Sequence, residues 1–101
     1  MYKSMDIKEI DNIVTDFISI IDIREKYEYI LGNIKNSINI PYNYLLQLPD
    51  EYLNKNKRYY LYCDTGSKSR KLCIHLSKLG YDVVDLVGGF KEYILNGINK
   101  L

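Results

Sequence analysis

Cys63 lies where a strongly apolar segment gives way to a polar loop, within the stretch YLYCDTGSKSRK of residues 60–71. A helix is predicted from about Ser69, and five residues separate it from the cysteine: Asp64, Thr65, Gly66, Ser67 and Lys68. A loop this short can curl around the cysteine sulfur, so that its backbone amides and the positive end of the helix converge on one point. Such a cradle stabilises an anion, and for a cysteine that anion is the nucleophilic thiolate.

Two residues of the loop suit this chemistry. Gly66 permits the positive φ that a tight curl requires, and Lys68 adds a full positive charge. The same cradle would also hold a persulfide, a thiosulfate or an oxyanion such as phosphate, so the loop by itself does not select a substrate. The alternative for Cys63 is a buried core thiol, because free cysteine is among the most buried residue types.

The elements that must position the loop alternate between strands and helices. Because strands and helices follow one another at short spacings, the pattern predicts βαβ units, and hence an α/β fold in three layers, with a mainly parallel central sheet covered by helices on both faces. Ligands of such sheets bind beyond the carboxyl ends of the strands, which is where Cys63 falls. The predicted strands are 17–22, 37–40, 58–63 and 82–87, and the predicted helices are 6–14, 24–32, two short pieces within 42–57, 69–79 and 90–96.

Composition narrows the functional classes. A chain of 101 residues predicts one domain over residues 1–101, and its net charge of +1 without a basic block argues against a nucleic-acid partner. No apolar segment has the length of a membrane span or of a secretory leader, so we expect no membrane partner. Two cysteines form no disulfide framework, which favours a cytoplasmic location. The oligomeric state stays open.

The chain resembles the rhodanese family of sulfurtransferases from about Met5 to Gly97, and two long stretches carry the resemblance. IIDIREKYEYILGNIKNSINIPY, residues 20–42, resembles the family's segment with an Asp-x-Arg pair and a small strand that ends in Pro. CDTGSKSRKLCIHLSKLGYDVVDLVGGFKEYILNG, residues 63–97, resembles its active-site loop, helix, last strand, Gly-Gly turn and final helix. The resemblance implies a rhodanese-like domain that needs neither a metal nor an organic cofactor.

The resemblance also implies a role for each loop residue. Cys63 aligns with the cysteine that becomes persulfidated, and its persulfide is bound by the loop from Asp64 through Thr65, Gly66, Ser67 and Lys68 to Ser69. The implied partners are a small-molecule or protein-bound sulfur donor, such as thiosulfate or a persulfide, and an acceptor such as cyanide or a thiol. The negative charge of Asp64 is expected to disfavour anionic donors.

Two alternatives share the fold. Rhodanese-like phosphatases and arsenate reductases have a loop one residue longer with an arginine at its end, whereas here Ser69 is sixth after Cys63 and Arg70 comes one later. We therefore expect Arg70 to lie out of position for that role. A non-catalytic carrier or binding module is the other alternative, and the presence of Cys63 argues against it.

Several residues outside the loop have structural interpretations. Asp22 and Arg24 match the Asp-x-Arg pair, and the four-residue spacing of Arg24 and Glu28 predicts an ion pair that fixes the helix. Tyr42 and Tyr44 follow a short strand and are candidates for the rim of the pocket.

The second cysteine and the only histidine are both expected to be structural. His75 has no partner nearby in sequence and is predicted on the helix surface or edge. Cys73 is predicted to be a core thiol and not a resolving cysteine, because it lies on an apolar helix face with Leu72, Leu76 and Leu79.

Overall fold

Five strands build one wholly parallel sheet in the computed structural model, which describes residues 2–100. The strands are β1 Lys3–Asp6, β2 Ser19–Asp22, β3 Ser37–Asn39, β4 Arg58–Tyr62 and β5 Asp82–Val87. The helices are α1 Lys26–Leu31, α2 Tyr42–Gln47, α3 Pro49–Tyr52, α4 Ser67–Lys78 and α5 Gly89–Asn99, preceded by a 3-10 helix at Ile7–Asn12.

Strand β4 occupies the middle of the sheet. The order across the sheet is β1-β5-β4-β2-β3, and Tyr60 of β4 pairs with Ile20 of β2 on one side and Val84 of β5 on the other. The residue that follows the end of β4 is Cys63. The candidate loop therefore leaves the carboxyl edge of the sheet at its centre, as predicted.

Hydrophobic cores on both faces of the sheet confirm the predicted three layers. Neighbouring residues of β4 point to opposite faces, because side chains alternate along a strand. Leu61 belongs to a core that includes Leu45 of α2 and Leu76 of α4, whereas Tyr62 belongs to the opposite core. That second core is covered by the 3-10 helix and α5, through Ile7, Ile10, Phe90 and Tyr93.

The amino-terminal segment differs from the prediction. Asp6 is the N-cap as expected, and its Oδ1 accepts a hydrogen bond of 2.9 Å from the amide of Lys8. The helix it caps is a 3-10 helix that ends at Asn12, and the preceding strand β1 was not predicted. The polar sequence KSMD carries no strand signal, since its extended form depends on pairing with residues 84–87 of β5.

Three other boundaries and burial states differ from expectation. Helix α4 begins at Ser67, two residues before the predicted start, so that Ser67 and Lys68 belong to its first turn. Leu79 lies beyond its end and is 44% exposed, so it does not share the buried face of α4. Strand β2 begins at Ser19, and Phe17 is 95% exposed.

Within residues 2–100, no helix is both long enough and apolar enough to cross a bilayer.

Candidate active site

The sulfur of Cys63 lies inside the curl of the loop. Its Sγ accepts hydrogen bonds from the amide of Gly66 at 3.1 Å and the amide of Ser69 at 3.3 Å. Gly66 has a φ of +101°, a left-handed conformation that a residue with a side chain rarely adopts, and it turns the chain so that these amides point inward. Because both amides belong to the start of α4, they present the positive end of the helix dipole to the sulfur.

The hydroxyl of Ser69 connects the sulfur to a buried carboxylate. Ser69 is fully buried, with its Oγ 3.5 Å from Cys63 Sγ and 2.6 Å from Oδ1 of Asp85. Asp85 comes from β5, next to β4 in the sheet. The sequence analysis did not identify Asp85 as a site residue. The available signal was an acidic residue inside the apolar strand DVVDLV, because acidic side chains are rarely buried.

A pocket of about 270 Å³ opens above the sulfur. Cys63, which is 4% exposed, lies at its wall with four loop residues: Asp64, Thr65, Ser67 and Lys68. The other side of the pocket is formed by Ile23, Arg24, Glu25, Glu28 and Tyr42. Tyr42 therefore lines the pocket as expected, whereas Tyr44 is exposed and does not line it. A cavity of this size suits a small donor or the end of a larger one.

Acidic side chains outnumber basic ones around the pocket. Asp64, Glu25 and Glu28 are opposed by Lys68 and Arg24. The ammonium of Lys68 lies 5.8 Å from the centroid of the Tyr42 ring, on the pocket side of α4. The surroundings of a bound donor are thus mixed in charge, and the attraction for a dianion is weaker than the loop amides alone would provide.

Arg24 pairs with Asp22 and not with the predicted partner Glu28. Its Nη2 is 2.7 Å from Asp22 Oδ2 and also donates to the carbonyl oxygen of Gly32 at 2.6 Å. Burial disfavours the charged guanidinium, but the hydrogen bond and the charge of Asp22 outweigh this effect and raise the pKa of Arg24. The ion pair holds the carboxyl end of α1, since Gly32 is its C-cap. Glu28 instead accepts from the amide of Glu25.

Backbone hydrogen bonds connect the start of helix α5 to the cysteine loop. The amide of Phe90 donates to the carbonyl oxygen of Cys63 at 2.8 Å, and the amide of Lys91 donates to that of Asp64 at 3.1 Å. The Gly-Gly turn at the start of α5 thereby holds the first two residues of the loop. Each bond joins two residues that are 27 positions apart in sequence, Cys63 and Phe90 in the first and Asp64 and Lys91 in the second.

The remaining candidates lie where they were expected. Cys73 is fully buried in the core of α4, its thiol is free, and burial together with the charge of Asp85 raises its pKa. His75 is exposed on the surface of α4. Among residues 2–100, no cluster of histidine, cysteine and carboxylate side chains has the arrangement of a metal site.

Residues 6–96 match the family of the rhodanese-like domain. The chain belongs to this family. The crystal structure of a rhodanese-related protein from Thermoplasma volcanium superposes on this chain with a TM-score of 0.82 at 35% sequence identity. That superposition covers 95% of this chain and 94% of the other. The wholly parallel sheet thus belongs to a known rhodanese-like architecture.

The chain is also similar to part of two longer curated proteins. The chain is 36% identical over 95 residues to tRNA uridine(34) hydroxylase of Wolbachia sp. subsp. Brugia malayi, covering 84% of this chain and 35% of that protein. It is 33% identical over 75 residues to the adenylyltransferase and sulfurtransferase uba4 of Ogataea parapolymorpha, covering 73% of this chain and 19% of that protein. The chain thus spans about a third or less of these relatives.

Proposed function

We propose that this rhodanese-like protein is a sulfurtransferase that carries sulfane sulfur as a persulfide on Cys63. The observation that carries the proposal is the sulfur of Cys63, which accepts hydrogen bonds from the amides of Gly66 and Ser69 at the wall of an open pocket. An anionic sulfur needs such donors, and an inert core thiol does not. Membership of the rhodanese-like family supports the same chemistry.

The proposed reaction has two steps. The thiolate of Cys63 attacks the sulfane sulfur of the donor, a new sulfur–sulfur bond forms, and the donor's own bond to that sulfur breaks. With thiosulfate the leaving group is sulfite, which takes the electron pair, and the persulfide retains one negative charge. A thiol or cyanide then removes the outer sulfur and regenerates the thiolate, which is a ping-pong scheme. Asp64, Thr65, Ser67 and Lys68 line the space for the transferred group.

The charge around the pocket supports a persulfide donor over thiosulfate as the better substrate. Three carboxylates line the pocket, and one of its two cations, Arg24, is already paired with Asp22. A dianion therefore meets more repulsion than the end of a thiol persulfide does. Both cysteines are free, which fits a reducing compartment such as the cytoplasm as the place of this chemistry.

The geometry does not favour the phosphatase or arsenate reductase alternative. Those enzymes need a basic side chain directed at the oxyanion, but Arg70 is exposed on α4 and is absent from the lining of the pocket formed by residues 23–68. Ser69, at the position before it, is buried and directed to Asp85. The loop thus ends one residue short of the arrangement that a tetrahedral oxyanion requires.

Intact mass spectrometry tests the proposal. The protein is incubated with thiosulfate or a thiol persulfide and then with cyanide or dithiothreitol. We expect a gain of about one sulfur atom that the second reagent removes, because the persulfide is a covalent intermediate. Cys63→Ser should lose the adduct while keeping its circular dichroism spectrum, and Cys73→Ala should keep the adduct. An adduct on Cys63→Ser, or none on the wild type with any donor, would refute the proposed relay.

A further inference from the structure

Asp85 is a buried acid that the proposed sulfur relay does not yet use. It is 2% exposed, in the middle of β5, where the register places it opposite Ser4 of β1 and Leu61 of β4. Within residues 2–100, no basic side chain comes within 4.0 Å of its carboxylate. Burying a carboxylate without an ion-pair partner lowers the stability of the fold. Its position next to the candidate site therefore suggests a role in that site.

The surroundings of Asp85 make its carboxylate a better proton acceptor than an exposed aspartate. Burial raises the pKa of the Asp85 carboxyl, and the hydrogen bond from Ser69 and the positive charge of Arg70 offset only part of this effect. Among the described residues, the thiol of Cys73 on α4 is near enough for the charge of Asp85 to act on it, and the thiol of Cys63 is linked to Asp85 through the hydroxyl of Ser69. The strand β1 contributes no titratable group at its register position, since Ser4 stands there.

The single hydroxyl proton of Ser69 links the protonation of Asp85 to that of Cys63. When Asp85 is ionised, Ser69 donates to its Oδ1 over 2.6 Å, and Ser69 Oγ accepts the thiol proton of Cys63 across 3.5 Å. When Asp85 is protonated, its own O–H donates to Ser69 Oγ, and the Ser69 proton can turn to the carbonyl oxygen of Gly66 at 3.2 Å or to Cys63 Sγ at 3.5 Å. A thiolate is charged and is therefore the stronger of these two acceptors. A thiolate needs a donor, so the second arrangement stabilises it.

We propose that Asp85 is a positioning residue which, through Ser69, holds the proton that Cys63 releases when it becomes a thiolate. The S–H bond of Cys63 breaks as a proton passes to Ser69 Oγ, and the original Ser69 proton passes to Asp85 Oδ1. One negative charge moves from the carboxylate to the sulfur, and neither oxidant nor reductant takes part. This inference deepens the proposed function, because it supplies the thiolate on which the sulfur relay rests.

The relay predicts a distinctive pH profile. If Ser69 passes one proton between Cys63 and Asp85, the two groups lose their protons as a coupled pair, and the relay predicts that thiolate forms in two macroscopic stages. In the first stage a fraction of the protein carries thiolate and carboxylic acid. In the second stage the last proton leaves, against the repulsion of the neighbouring charge, and all of the sulfur becomes thiolate.

Alkylation by iodoacetamide measures this profile without any sulfur donor. The rate at Cys63, followed by intact mass from pH 5 to 10, should rise in two stages for the wild type. Asp85→Asn removes the charge while keeping the shape, and its amide can donate to Ser69. We expect a single stage with its midpoint at least about one pH unit below the upper stage of the wild type. Asp82→Asn removes an exposed carboxylate from the same strand and should keep the two stages.

Ser69→Ala provides a second test by removing the connecting hydroxyl while leaving both ionisable groups. It too should show one stage, and it decides the question if Asp85→Asn does not fold by circular dichroism. A one-stage wild-type profile that neither variant alters would overturn the role of Asp85. Because iodoacetamide needs no sulfane sulfur, failure of the relay is distinguishable from failure of sulfur transfer, which the mass adduct reports separately.

Discussion

The α-carbon of Gly89 faces the backbone carbonyl of Asp64 so closely that a β-carbon on it would overlap the carbonyl group. Gly89 also has a φ of +71°, which side chains rarely adopt. Both conditions arise where the start of α5 closes over the loop and its amides bond the carbonyl oxygens of Cys63 and Asp64. Gly89, the second glycine of the Gly-Gly turn, therefore helps to fix the conformation of the loop, although it lies 26 residues after Cys63 in sequence.

Gly89→Ala should destabilise the protein and displace the loop. We expect a loss of at least about 2 kcal/mol in the free energy of unfolding, because the strained φ and the overlap with Asp64 act together. Urea unfolding measures this loss, and the persulfide adduct of the remaining folded protein should also decrease.

Gly97→Ala is the matched control within the same helix. An added β-carbon there would point into open space among residues 2–100, apart from its own helix turn, and alanine is the better helix former. We expect a gain of about 0.5–1 kcal/mol. Equal effects of the two substitutions would contradict the close approach of Gly89 to the loop.

Asp22→Asn should strongly destabilise the fold, because it leaves the guanidinium of Arg24 buried without its counter-charge. The Asp22 side chain is fully buried and that of Arg24 is 6% exposed. Breaking such a pair from one side costs about 3–5 kcal/mol. Asp82→Asn removes exposed pairs with Arg58 and Lys3 and should have a much smaller effect, because solvent screens such pairs. Urea unfolding measures the free energy of unfolding of both variants. Similar decreases would show that the buried Asp22–Arg24 pair stabilises the fold no more than the exposed pair does.

Lys68→Ala should slow persulfidation by thiosulfate more than it alters folding. Lys68 lines the pocket and is the cation there that has no carboxylate partner among the described contacts. We expect a decrease of about three- to tenfold at low salt, which should shrink as salt screens the charge. Lys71→Ala removes an exposed charge on the same helix outside the pocket. Identical rates for the two variants would exclude a role for Lys68 in attracting the donor.

Stability should fall in mild alkali because of Cys73. Burial raises the pKa of its thiol in the folded protein, so the unfolded chain ionises first, from about pH 8.5. The contribution of the neutral Cys73 thiol to the free energy of unfolding is thus fully present below that pH. As the pH rises further, the free energy of unfolding falls by about 1.4 kcal/mol per pH unit. Urea unfolding at pH 8.5, 9.2 and 9.9 gives the slope. Cys73→Ala should have the shallower slope, and parallel slopes would mean that the thiol ionises equally in both states.

Local patterns in the sequence were sufficient for the central part of the molecule. The apolar run at residues 58–62, the polar loop with Gly66 and the amphipathic pattern of α4 each lie within a few neighbouring residues. Periodicity and turn chemistry report such short-range structure directly. The parallel sheet, the three layers and the position of Cys63 at the carboxyl edge of the sheet followed from these patterns and were confirmed.

Tertiary structure decided the relationships between distant residues. Strand β1 exists because it pairs with β5, and Asp85 of β5 meets Ser69 of α4. No spacing rule predicts these contacts, since each depends on which side chains the packed sheet and helices bring together. The sequence by itself therefore determined the fold class and the cysteine loop, and only packing placed a buried acid behind that loop.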